Sequence, residues 1–96
     1  MDVLDPASVD LALSEGIAWE REGAEIVKVY TAKDFADALS YVNAVGALAE
    51  EANHHPDIDI RWNEVTLRLS THSAGGITAS DLALARRIDT LAVGAG

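Results

Sequence analysis

The periodicity that most limits the fold of this chain runs from Phe35 to Ala52. Phe35, Ala38, Leu39, Val42, Val45, Leu48, Ala49 and Ala52 recur at helical spacing, sustained for about five turns as one stripe to lay against a core. Thr31 to Asp34 resembles a capping box, with Asp in place of the preferred Glu or Gln. Pro56 is expected to stop the helix, because the residue before a proline is pushed out of the helical region. On this reading His54 ends the helix and His55 is extended.

Short extended segments flank this helix on both sides. Ile17 to Trp19 and Ile26 to Tyr30 read as strands, with Glu22-Gly23-Ala24 as the turn and Gly23 able to take positive φ. Ile58, Ile60 and Trp62 alternate with Asp57, Asp59 and Arg61, and Val65, Leu67 and Leu69 alternate with Thr66, Arg68 and Ser70. These are two half-buried strands, with Asn63-Glu64 as the expected turn. Asp5-Pro6 opens a short first helix ending near Gly16. After Gly75-Gly76, Thr78 to Asp81 caps a last helix through Leu82, Ala85, Ile88 and Leu91. The order α-β-β-α-β-β-α predicts an α+β domain, a single four-stranded antiparallel sheet with helices packed on one face. Ninety-six residues make one domain, 1–96, of which Ala92 to Gly96 read as a frayed tail.

Composition then removes whole classes of function. With no cysteine, disulfides and thiolate zinc sites are excluded. A domain this small buries only about two thirds of its unfolded surface, so self-association is the favoured supplement. Seven Lys+Arg against 16 Asp+Glu give a formal charge of −9. That charge repels phosphate backbones and anionic lipid, so neither nucleic acid nor a membrane surface is an expected partner. Hydrophobic residues are 49% of the chain, too many for disorder, yet no run approaches the ~18 apolar residues of a membrane span. Met1 to Asp10 carries acids where a signal peptide needs a basic and then an apolar stretch. A cytoplasmic protein is expected.

All three histidines, His54, His55 and His72, fall within nineteen residues. Adjacent His54 and His55 diverge too far to seize one small ion together, since successive helical side chains differ by ~100°. They can flank a flat ligand instead. Glu50 lies four residues before His54, close enough on a helix to orient that ring and favour its cation. The negative end of the helix dipole pushes the same way, and a protonated imidazole is what general acid catalysis needs. Strand alternation puts His72 on the face of Arg68 and Ser70. Each residue also has a plainer reading: His54 as a helix cap, Trp62 as core, Asp81 as a helix N-terminal acid, Glu50 as a solvated charge.

Their joint spacing is more telling. Glu50, three residues, His54-His55-Pro56, five residues, Trp62, nine residues, His72, eight residues, Asp81: this string resembles the signature of the pterin-4a-carbinolamine dehydratases. Trp19, Lys33-Asp34-Phe35, Ala49-Glu50, Leu69-Ser70-Thr71-His72 and Gly76-Ile77-Thr78 also look like family positions, so the similarity runs from about Trp19 to Ile88. Ala74 departs from members that carry cysteine there.

The resemblance implies dehydration of a 4a-hydroxytetrahydropterin to the quinonoid dihydropterin, without metal or cofactor. It implies His54 and His72 as general acids reaching the two faces of the substrate, and His55 chiefly as a pterin-binding residue. Glu50 and Asp81 would orient imidazoles, Trp62 would shape the pocket, and Pro56 belongs to the same motif. It also implies homodimers or homotetramers. Two other functions compete. His54, His72 and an acid could complete a zinc triad, against which stands the poor geometry of adjacent histidines. Relatives of the fold also serve as assembly or dimerisation factors that bind protein partners. Retention of all three histidines favours catalysis over that alternative.

Overall fold

The structure is a computed structural model and describes residues 2–91; the expected tail, 92–96, lies outside them. Three helices and four strands follow the expected order: α1 Pro6–Ser14, β1 Glu20–Glu22, β2 Glu25–Thr31, α2 Phe35–Ala52, β3 Asp57–Arg61, β4 Glu64–Leu69 and α3 Ala79–Asp89. All neighbouring strands are antiparallel, in the order β1-β2-β4-β3.

Register decides which side chains face the helices. Ile26 lies opposite Leu69, Lys28 opposite Leu67 and Tyr30 opposite Val65, while Ile58 and Ile60 of β3 lie opposite Leu67 and Val65. Val65, Leu67 and Leu69 are fully buried, as β4 alternation requires. They pack with Val9 of α1, with Ala38, Tyr41, Val45 and Ala49 of α2, and with Leu82, Leu84, Ala85 and Ile88 of α3. The helices therefore cover one face of the sheet.

The first strand is not where alternation suggests. Ile17 and Trp19 are buried, but they belong to the core and not to the ladder. The Ala18 amide donates to Asp89 Oδ2 at 2.9 Å, and Trp19 Nε1 donates to Asp89 Oδ1 at 2.9 Å. A side chain on α3 thus takes the donor that a neighbouring strand would have used. Pairing starts at Glu20 opposite Val27 and closes at Glu22 opposite Glu25, across a turn in which Gly23 has φ +61.

The ends of α2 also shift. Thr31 is the last residue of β2, paired with Glu64, and the cap is Asp34, whose side chain accepts from the Asp37 amide at 2.7 Å. At the other end Asn53 takes a left-handed conformation, φ 49 and ψ 43. That stops the helix three residues before Pro56, so His54 does not end it. The apolar stripe is wider than the buried surface: Phe35 and Leu39 are 48% and 42% exposed, while Tyr41 joins the core.

The β3–β4 turn is Trp62-Asn63, because Glu64 already pairs with Arg61. Trp62 leaves the strand at φ 53 and is 68% exposed, so the core reading of this residue is wrong. α3 begins as expected. Thr78 and Asp81 form a capping box.

Candidate active site

Three local features bring the site together. The left-handed turn at Asn53 releases His54 and His55 from α2 into the extended segment entering β3. β4 runs back antiparallel to β3, so its end returns beside the His55–Pro56 segment. There the chain closes a tight loop from Thr71 to Gly76, with Thr71 N donating to Gly76 O at 2.8 Å and Gly75 N donating to Thr71 O at 2.9 Å. His72 stands in that loop, exposed and beyond the ladder, so strand parity does not govern its direction. His54, His55 and His72 line one open cleft of about 280 Å³, with Asn53, Ser70, Thr71 and Ser73 between them.

The orienting carboxylates are paired differently from the helical reading. His54 Nε2 meets Asp81 Oδ1 at 2.5 Å, and His55 Nε2 meets Glu50 Oε2 at 2.5 Å. The expected Glu50–His54 contact is therefore replaced. Four-residue spacing brings side chains together only while the helix continues, and the Asn53 turn ends it one residue too early.

The two pairs differ in character. Asp81 is fully buried and the His54 side chain is 17% exposed, whereas His55 and Glu50 are 56% and 77% exposed. Water screens the second pair, so it guides orientation more than it binds. Asp81 fills both of its candidate roles at once, since Oδ2 accepts the Thr78 amide at 2.8 Å as the helix cap while Oδ1 meets His54.

Asp81 Oδ2 also accepts from the Thr71 hydroxyl at 2.8 Å, and Thr71 Oγ1 lies 2.8 Å from Thr78 Oγ1. With donors on Oδ2, the Oδ1 oxygen calls for a donor too, which assigns the Nε2 proton of His54 to this contact. Nδ1 is then the nitrogen left to exchange a proton. Thr71 and Thr78 carry no site role in the sequence reading, in which Thr78 is only a helix cap. The signal was present: extending β4 alternation by one step puts Thr71 on the face of Leu67 and Leu69, and a polar side chain there must find a partner.

Pro56 follows the histidine pair and starts the run into β3. Trp62 does not join the cleft in a single chain. It sits at the far end of β3, five strand residues on, roughly 16 Å along the strand at ~3.3 Å per residue. Among the described residues no group of three or more His, Cys, Asp or Glu side chains is disposed to hold a metal ion, and no helix is long and apolar enough to cross a membrane.

A four-stranded antiparallel sheet covered on one face, with a histidine cleft where α2 and β4 end, defines the class: an α+β protein with a histidine-lined site. The structure superposes on a crystal structure from Brucella melitensis, described as a transcriptional coactivator/pterin dehydratase. The TM-score is 0.85 at 28% identity, over 92% of this chain and 96% of that one. A pterin dehydratase-like protein described as a RuBisCO assembly factor in the alpha-carboxysome matches at TM-score 0.60 and 24% identity, over 74% of this chain and 82% of its own, a likeness of fold alone. The sequence model of pterin 4 alpha carbinolamine dehydratase matches residues 2–91. A relative from Thermomicrobium roseum, provisionally named pterin-4-alpha-carbinolamine dehydratase, is 53% identical over 93% of this chain and 96% of its own. One of the same provisional name from Nocardia farcinica is 48% identical over 95% and 96%. The chain belongs to the pterin 4 alpha carbinolamine dehydratase family.

Proposed function

We propose that this protein is a hydro-lyase that dehydrates 4a-hydroxytetrahydrobiopterin, the carbinolamine released by aromatic amino acid hydroxylases, to the quinonoid dihydropterin. The observation that carries the reading is the His54–Asp81 contact at 2.5 Å, its acid fully buried, beside His72 in one open cleft. A histidine whose Nε2–H is held by a carboxylate has one nitrogen, Nδ1, committed to exchange with a ligand.

The reaction needs little else. A proton is delivered to the 4a-hydroxyl oxygen and the C4a–O bond breaks, releasing water. The adjacent ring nitrogen supplies the electron pair that forms the C=N bond, and then loses its own proton. His54 and His72, on separate elements, serve as the donors, and either can take a proton back. His55, steadied by Glu50 at the rim, holds the pterin. Oligomerisation belongs to the same proposal, as does a site for Trp62 that a second copy completes.

The alternative is an assembly or dimerisation factor that binds a protein partner. It draws on the coactivator description of the Brucella melitensis structure and the assembly-factor description of the second neighbour, and does not account for the histidine–carboxylate pairs. The test generates the carbinolamine with an aromatic amino acid hydroxylase and follows its ultraviolet decay. Catalytic amounts of this protein should accelerate the decay; no acceleration would transfer the case to the assembly-factor reading.

A further inference from the structure

Asp81 orients His54, and its Oδ2 is held from two directions: the Thr78 amide donates to it at 2.8 Å as part of the helix cap, and a directed chain of hydroxyls ends on it. Thr71 has one hydroxyl proton, and Asp81 Oδ2 accepts it at 2.8 Å. Thr78 must therefore donate to Thr71 across the 2.8 Å contact between their oxygens, and Thr78 Oγ1 accepts the Ser80 amide at 3.3 Å. The chain has one direction and ends on the carboxylate. It is enclosed: Thr78 and Asp81 are 0% exposed and Thr71 is 9% exposed. The backbone of Thr71 also closes the loop that carries His72.

We infer that Thr71 is a positioning residue: its hydroxyl locks the Asp81 carboxylate, and through it fixes which nitrogen of His54 faces the substrate. The inference rests on the dehydratase reading for its kinetic consequence, while its structural consequence can be read without any activity.

In the wild-type protein, long-range proton–nitrogen correlation spectra should show neutral His54 as one tautomer, protonated on Nε2. A majority Nδ1–H tautomer would overturn the inference whether or not the protein is a dehydratase. Thr71→Val keeps the volume and removes the hydroxyl. It should give mixed His54 tautomers and a loss of about 10- to 100-fold in kcat, the scale of one hydrogen bond to a charged group, with KM little changed. Thr71→Ser, which restores the hydroxyl, should recover the single tautomer and most of the rate. A folded Thr71→Val protein with the wild-type tautomer and kcat would overturn the inference. If that variant fails to fold, Thr71→Ala takes its place under the same criteria.

Discussion

At the scale of single residues, side chains here act in pairs fixed by a third group. Asp37 shows this away from the cleft. It accepts the Tyr30 hydroxyl at 2.8 Å and the Lys33 amide at 3.2 Å, and the Tyr30 hydrogen bond foremost holds its carboxyl below the usual value of 3.8. A carboxyl whose folded pKa is depressed contributes stability that is fully present above its unfolded value and is lost as pH falls through the folded one. Denaturant midpoints should therefore fall as the protein is acidified below about pH 4. Asp37→Asn should lower stability at neutral pH and flatten that acid limb. An unchanged acid limb in the variant would assign the acid loss to other carboxyls, such as Asp5 and Asp10, which are also held low by the Ser8 amide and by Arg21 respectively.

At the scale of elements, what could be read from the sequence was whatever local period and local caps decide. β4 reads directly, because Val65, Leu67 and Leu69 alternate and are all fully buried. α3 reads directly, because Thr78 and Asp81 cap it three residues apart. β1 does not, because the group that takes the Ala18 amide is 71 residues away in sequence. The end of α2 was misplaced because Asn53, and not Pro56, stops it, and with that turn the Glu50 partner changes from His54 to His55. Asp81 was legible both as a cap and as an orienting acid and Thr78 as a cap, whereas their link to Thr71 becomes legible only once Thr71 is placed on the inner face.

Asp89 is the long-range counterpart of those caps. It gathers the Ala18 amide, the Trp19 indole and the Lys28 ammonium, the last at 2.6 Å. Lys28 points inward beside Leu67 and its side chain is only 12% exposed. Asp89→Ala leaves that cation unpaired, so it should destabilise the fold by about 3–5 kcal/mol. Urea unfolding would measure it, and a cost below about 1 kcal/mol, the range of exposed pairs, would show the network to be dispensable.

At the scale of the whole molecule, a small acidic domain leaves apolar surface uncovered. Phe35 and Leu39 on α2 and Ile58 on the edge strand β3 are 48%, 42% and 39% exposed. An open strand edge beside apolar side chains favours pairing with a second copy. Light scattering at micromolar concentration should give a multiple of 10.2 kDa; a strict monomer would contradict self-association and leave Trp62 outside any site. The central claim, that His54 and His72 are the proton donors of a dehydratase, is tested most directly by the carbinolamine decay rate of the His54→Ala/His72→Ala double variant, with circular dichroism confirming the fold. Loss of one positioned acid typically costs ~10²–10⁴-fold, softened in each single variant if the other donor covers for it. The account predicts measurable activity in both single variants and near-complete loss in the folded double variant. A folded double variant with the wild-type rate would contradict it.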